Sequence, residues 1–185
     1  IDASRKAGNV IYGLRFDSLI DQPVARPLSS GMKPAIAPDP KGWPLVFDGD
    51  HSSFYTGTSP LTPYSELAAA ARGVGFLNII ADPDGIVRRL PLLAMYGGAY
   101  YPSLAFRAAC DYLNVSAQNV IVKPGISITL KNARRGAGLP AGDIVIPIDE
   151  KGSMLLDATE YWDDVRHYSS SEIYQASEDP ARVDE

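Results

Sequence analysis

Four tight corners written in Asp, Pro and Gly constrain this chain more than any other feature. Asp82-Pro83-Asp84-Gly85 has Pro at the second turn position and Gly at the fourth. That order suits a type I turn closing on a left-handed glycine, the three-residue hairpin loop. Asp149-Glu150-Lys151-Gly152 repeats the Asp-x-x-Gly order, Tyr96-Gly97-Gly98-Ala99 suits a primed two-residue turn, and Pro124-Gly125 marks a fourth corner. Apolar or alternating segments flank them: 75–81 and 86–95, Tyr100-Tyr101, 119–123 and 126–130, 143–148 and 153–156. This pattern predicts hairpins.

Helices are expected at 63–72, with Thr62 as N-cap, Pro63 in the first turn and Gly73 as the closing glycine, and at 102–113, with Leu104, Ala105, Ala108, Ala109 and Tyr112 at helical spacing. Ser169-Ser170-Ser171-Glu172 has the order of a capping box, so a further helix should start near Ser170. A strand is expected at 9–16, where Val10, Tyr12, Leu14 and Phe16 alternate. Eight of the 15 prolines lie between Pro23 and Pro63, so 17–61 reads as mostly irregular, with one short strand at Leu45-Val46-Phe47. Such a segment is either functional or a variable surface insertion. The basic stretch 131–142 reads as a connector and the polar tail from Ser177 as frayed. The expected fold class is α+β: a mostly antiparallel, hairpin-built sheet with two main helices packed on it, in one domain over 1–185.

A chain of 185 residues with 45% apolar and 21% charged residues can bury an adequate core. Its net charge of −5 is the wrong sign for a nucleic-acid binder. No run of about 18 apolar residues occurs, so no membrane-spanning helix is expected. The start, Ile1-Asp2-Ala3-Ser4, has neither the pattern of a signal peptide nor an initiator Met, and reads as part of a longer protein. One cysteine, Cys110, precludes an internal disulfide and reads as a small buried side chain.

Chemistry-bearing motifs are sparse. His51 and His167 lack metal-ligand spacing, and no nucleophile elbow, phosphate loop or dinucleotide fingerprint is present. The sequence calls for no cofactor. Arg88 and Arg89 are conspicuous: on a strand they point to opposite faces, so one guanidinium must leave an apolar row and find a carboxylate. Asp82 and Asp84 are the nearest. An ion pair that locks the hairpin and capture of an anionic ligand are both open. Tyr96, Tyr100 and Tyr101 gather at the Gly-Gly turn, where a ring with a polar tip suits a core or a ligand pocket.

The run from Gly73 to Leu92 resembles the second type of CHASE domain, an extracellular sensory module attached to cyclases and histidine kinases. The family pattern of Gly-x-x-Asn followed by Asp-x-Asp-Gly-x-x-Arg-Arg-x-Pro-Leu falls on Gly75, Asn78, Asp82, Asp84, Gly85, Arg88, Arg89, Pro91 and Leu92. Tyr101-Pro102-Ser103-Leu104-Ala105, the segment 146–152 and Tyr168-Ser169 are similar to further family segments, so the resemblance spans about 62–175. It implies the membrane-distal or C-terminal portion of an extracytoplasmic sensor domain in a membrane-bound bacterial receptor, with a non-enzymatic role. The implied partners are a small-molecule or environmental stimulus, the receptor's own transmembrane helices and a cytoplasmic cyclase or kinase output domain. Asn78, Asp82, Asp84, Arg88, Arg89, Tyr100 and Tyr101 are the candidate ligand-binding or ion-pairing residues. Two rivals stand beside this: a dimerisation module without a small ligand, and an enzyme, which a pocket holding His51 or His167 beside a carboxylate would favour.

Overall fold

A computed structural model describes residues 1–21, 43–136, 139–157 and 168–178. In chain order the elements are α1 (Asp2–Ala7), β1 (Ile11–Ile20), β2 (Val46–Phe47), β3 (Thr56–Leu61), α2 (Ser65–Ala70), β4 (Gly73–Phe76), β5 (Arg89–Pro91), β6 (Leu93–Tyr96), β7 (Ala99–Pro102), α3 (Leu104–Tyr112), β8 (Val120–Lys123), β9 (Ser127–Ala133), β10 (Gly142–Pro147), β11 (Ser153–Leu155) and α4 (Ser170–Glu178). A single 3-10 turn, Ala117–Asn119, precedes β8.

The strands form a five-stranded sheet in the order β4-β1-β3-β6-β7, a four-stranded sheet β10-β9-β8-β2 and the pair β11-β5. The α+β class holds, but the sheets are mixed. β4 runs parallel to β1, β2 parallel to β8, and β3 meets β6 in parallel through Thr56 and Met95. Two of the expected hairpins are complete: β6–β7 around Gly97-Gly98, both with positive φ, and β8–β9 around Gly125.

The β6–β7 hairpin separates two apolar cores. Successive strand residues face opposite sides. Leu93 accordingly enters a core with Phe54, Phe106, Val120, Val122 and Ile128, while Ala94 enters one with Leu14, Phe16, Val74, Phe76 and Tyr101. The first core lies between β8–β9 and α3, which presents Phe106 and Cys110, one helical turn apart. The second covers one face of β1 and β4, where Phe16 meets the rings of Phe76, Tyr96 and Tyr101.

Several sequence expectations are corrected. The expected sheet of antiparallel hairpins with two main helices gives way to mixed sheets with four short helices among the described residues. The segment 17–61 holds more strand than expected where described: besides β2, the end of β1 runs into it to Ile20 and pairs with β3. Positions 22–42 lie outside the described residues. β3 (Thr-Gly-Thr-Ser-Pro-Leu) carries little apolar signal, and Pro60 is tolerated because β3 pairs there with β1 alone. Residues 77–81 and 86–88 make no strand, and the expected strand 86–95 breaks at Leu92, whose N–H reaches Gly152 O. β11 does not return along β10 but pairs with β5, Ser153 opposite Pro91 and Leu155 opposite Arg89.

The first expected helix starts later, at Ser65 after Tyr64, because β3 holds the chain to Leu61 and the turn needs the next three residues. It closes at Ala71 without a left-handed glycine, and Gly73 opens β4 instead. In the second, Pro102 ends β7 and Ser103 is the cap, its Oγ accepting from Phe106 N. Its buried stripe is Phe106 and Cys110, while Ala105, Ala108, Ala109 and Tyr112 are exposed; alanines raise helix propensity without choosing a face. Part of the basic connector is strand, Lys131 to Ala133, and Lys131 pairs with Asp143 across it. The capping box forms as expected: Glu172 N donates to Ser169 Oγ and Ser169 N to the Glu172 carboxylate. Ser177 belongs to α4, and residues 179–185 of the expected frayed tail lie outside the described residues.

Gly75 shows why the motif needs glycine there. A Cβ on it would lie 2.5 Å from Leu104 Cα and 2.7 Å from Leu104 N, where β4 passes under the start of α3. Backbone cannot yield as a side-chain tip can. Gly75→Ala is therefore expected to cost about 3 kcal/mol of unfolding free energy in urea denaturation, at the upper end of overpacking effects. A loss within error of zero would contradict the close approach.

Candidate functional site

The two Asp-x-x-Gly corners are built alike. In the first, Gly85 N donates to Asp82 O, Asp82 N to Ile86 O, and Gly85 has φ 82°. In the second, Gly152 N donates to Asp149 O, Asp149 N to Ser153 O, and Gly152 has φ 77°. A left-handed glycine closes each without Cβ strain. The Asp149 carboxylate also accepts from Lys151 N and Ser153 N.

The first corner gathers both arginines. Arg88 grips Asp84 with two parallel bonds, 2.9 and 2.8 Å, and reaches Asp82 at 3.2 Å. Arg89 donates to the other oxygen of Asp82 at 2.8 Å and lies 3.9 Å from Asp149, linking the two corners. The expected split of the arginines onto opposite faces, one of them buried, does not occur. Arg88 precedes β5, and the two side chains, 44% and 49% exposed, converge on Asp82. The cluster pairs two cations with two carboxylates at the corner, and solvent screens it.

The other candidate residues lie elsewhere. Asn78 joins β1 through a two-bond clasp: its Nδ2 donates to Phe16 O and its Oδ1 accepts from Phe16 N, both at 2.8 Å. It thus extends the pairing of β1 after β4 has ended. Tyr101 lies in the core beside Phe16, whereas Tyr100 faces the other way, against Phe47 and Phe54. Burial, followed by the charge of Asp50, pushes the Tyr100 phenol up to about 12. His51 stacks on Phe47 with ring centres 4.2 Å apart, and His167 lies outside the described residues. Among the described residues no three or more His, Cys, Asp and Glu side chains are grouped to hold a metal ion.

A cleft of about 470 Å³ lies apart from these residues, and sequence reasoning missed it. Trp43 and Pro44 border it on one side, Arg72 between α2 and β4 on another, and Arg107, Asp111 and Val115 from α3 and its end on a third. Asp111 Oδ2 lies 3.4 Å from Arg72 Nε and 3.6 Å from Arg107 Nε. Arg107 also donates to Arg72 O and sits 5.3 Å over the Trp43 ring. The i,i+4 spacing of Arg107 and Asp111 was the one local signal; Trp43 and Arg72 come from distant segments.

A family model of the CHASE2 domain matches residues 2–185. The chain belongs to the CHASE2 domain family. The match takes in residues 2–61, which carry none of the motifs behind the resemblance. CHASE2 domains are sensory domains of signalling receptors, not catalysts in themselves. Comparisons with curated proteins and with solved structures returned no match. No helix among the described residues of this CHASE2 domain is long and apolar enough to cross a membrane.

The corner makes a pH-dependent prediction. Hydrogen bonds from the Arg88 side chain and then from Ile86 N hold the Asp84 carboxyl below its usual value. A folded pKa below the unfolded one stabilises above the unfolded value, and this is lost as pH falls through the folded value. Arg88→Ala is therefore expected to lower Tm modestly near about pH 6, with the gap to the unsubstituted protein closing towards about pH 2. Thermal melts across that range check it. A gap that stays constant would contradict the assignment.

Proposed function

We propose that this CHASE2 domain is the extracytoplasmic sensor region of a membrane-bound bacterial receptor. A small molecule or environmental stimulus favours one of two arrangements of the domain. The receptor's own membrane-spanning helices carry that bias to a cytoplasmic cyclase or kinase. The observation that supports this most is the family match over residues 2–185. The motif residues fit a passive role: Gly75, Asn78, Arg88 and Arg89 are all used in holding corners and strands together. Differential affinity for two arrangements is all that such a detector requires.

Cys110 makes the placement testable. It is fully buried, and burial foremost pushes its thiol up to about 12, so it should be silent towards maleimides. Arg135→Cys adds an exposed thiol. In the full-length receptor, otherwise freed of reactive cysteines, a membrane-impermeant maleimide should label Arg135→Cys in intact cells. Labelling only after lysis would contradict the extracytoplasmic placement.

Exposed Leu77, Ile79, Ile86 and Val87 on the arm carrying the first corner favour a second reading, in which self-association is the main task. Sedimentation equilibrium distinguishes it: a dimer that Ile79→Asp with Ile86→Asp dissociates supports it, and a monomer at all concentrations contradicts it.

A further inference from the structure

We infer that the cleft between Trp43, Arg72 and α3 binds a small organic carboxylate, with the anionic head on the two arginines. The inference rests on the sensor reading and deepens it by naming a ligand class. Its first support is the charge balance: among the described residues, Arg72, Arg107 and Asp111 are the charged ones lining the cleft, which leaves one net positive charge.

The second support is unspent hydrogen-bonding capacity. Arg107 Nε and Asp111 Oδ2, both out of reach of solvent, face each other at 3.6 Å as an ion pair and have no hydrogen-bond partner among the described residues, so the capacity open to a ligand is that of Arg72. Among the described residues none accepts a hydrogen bond from the Arg72 guanidinium, which is half exposed at the cleft. A guanidinium fork matches a planar carboxylate through two parallel bonds. One net positive charge matches a monoanion better than a dianion. Trp43, Pro44, Val115 and Ala117 supply an apolar wall for the body of such a ligand, and the volume is that of a small-molecule site.

Gly73 supplies the third support, because it makes room for the arginine. A Cβ there would fall 2.5 Å from Arg107 Cζ and 2.7 Å from each terminal nitrogen. The colliding atoms are the tip of a flexible side chain, so Gly73→Ala moves the guanidinium and leaves its charge in place.

Isothermal titration calorimetry of the chain at low salt tests this with benzoate, its neutral analogue benzamide, and inorganic phosphate. Benzoate should bind saturably and more tightly than phosphate, and benzamide should give no binding heat. Arg72→Met and Gly73→Ala should each weaken benzoate at least about tenfold while keeping a cooperative melt. Should Arg72→Met fail to fold, Gly73→Ala carries the comparison. Absence of saturable benzoate heat would overturn the inference, as would equal affinity in the variants. Benzamide binding as well as benzoate would make the cleft an apolar crevice and also overturn it, and phosphate binding more tightly than benzoate would do the same. Benzoate binding with unchanged output from the full-length receptor supports the ligand class and removes the sensor reading. No benzoate binding in a chain that is labelled from outside removes the ligand class alone.

Discussion

The β6–β7 hairpin is the wall on which the rest of the molecule depends. Gly97 and Gly98, both in the left-handed region, close it tightly and set its register. A slip of one residue would exchange the faces and send Leu93 and Ala94 into each other's cores. The hairpin also feeds directly into α3, since β7 ends at Pro102 and Ser103 caps the helix. Ser103 N reaches back to Leu92 O, so the helix start is tied to the break between β5 and β6. Positions on α3, including Arg107 and Asp111, therefore follow from a turn made by two glycines earlier in the chain.

The ion-paired corner has a different place in the energetics. Arg88 and Arg89 are about half exposed, so their bonds to Asp82 and Asp84 orient the arm more than they stabilise the domain. What ties this region down is the pairing of β5 with β11 and the Leu156 N bond to Arg88 O. The burial that stabilises the fold lies instead in the two cores, in residues such as Phe16, Phe76, Leu93 and Ile128, which solvent scarcely touches.

What could be read from the sequence was local. The corners at Gly85, Gly98, Gly125 and Gly152, the capping box at Ser169 and the alternation of Leu14 with Phe16 all depend on residues a few positions apart. Pairings between distant segments were not legible: β1 with β4, β2 with β8 and β11 with β5 each join segments separated by many tens of residues. β3 was hidden because its Thr, Gly, Ser and Pro resemble a loop, and its place is set by β1. The arginines were misjudged for the same reason: strand alternation was extended to Arg88, which lies outside the strand. Of the candidate residues, Asp82, Asp84, Arg88 and Arg89 do meet, while Asn78, Tyr100 and Tyr101 are each drawn into separate packing. The cleft needed three remote segments to meet, which no single motif encodes.

A hairpin shared by two cores should make them one cooperative unit, so that a ligand held beside α3 is felt on the far side of the five-stranded sheet. Native-state hydrogen exchange in graded denaturant measures this directly. The slowest amides of β1, β6, β7, β8 and β9 should converge on one opening free energy. Protection that persists in β8 and β9 after β1 and β4 have exchanged would show two independent units and contradict the shared wall.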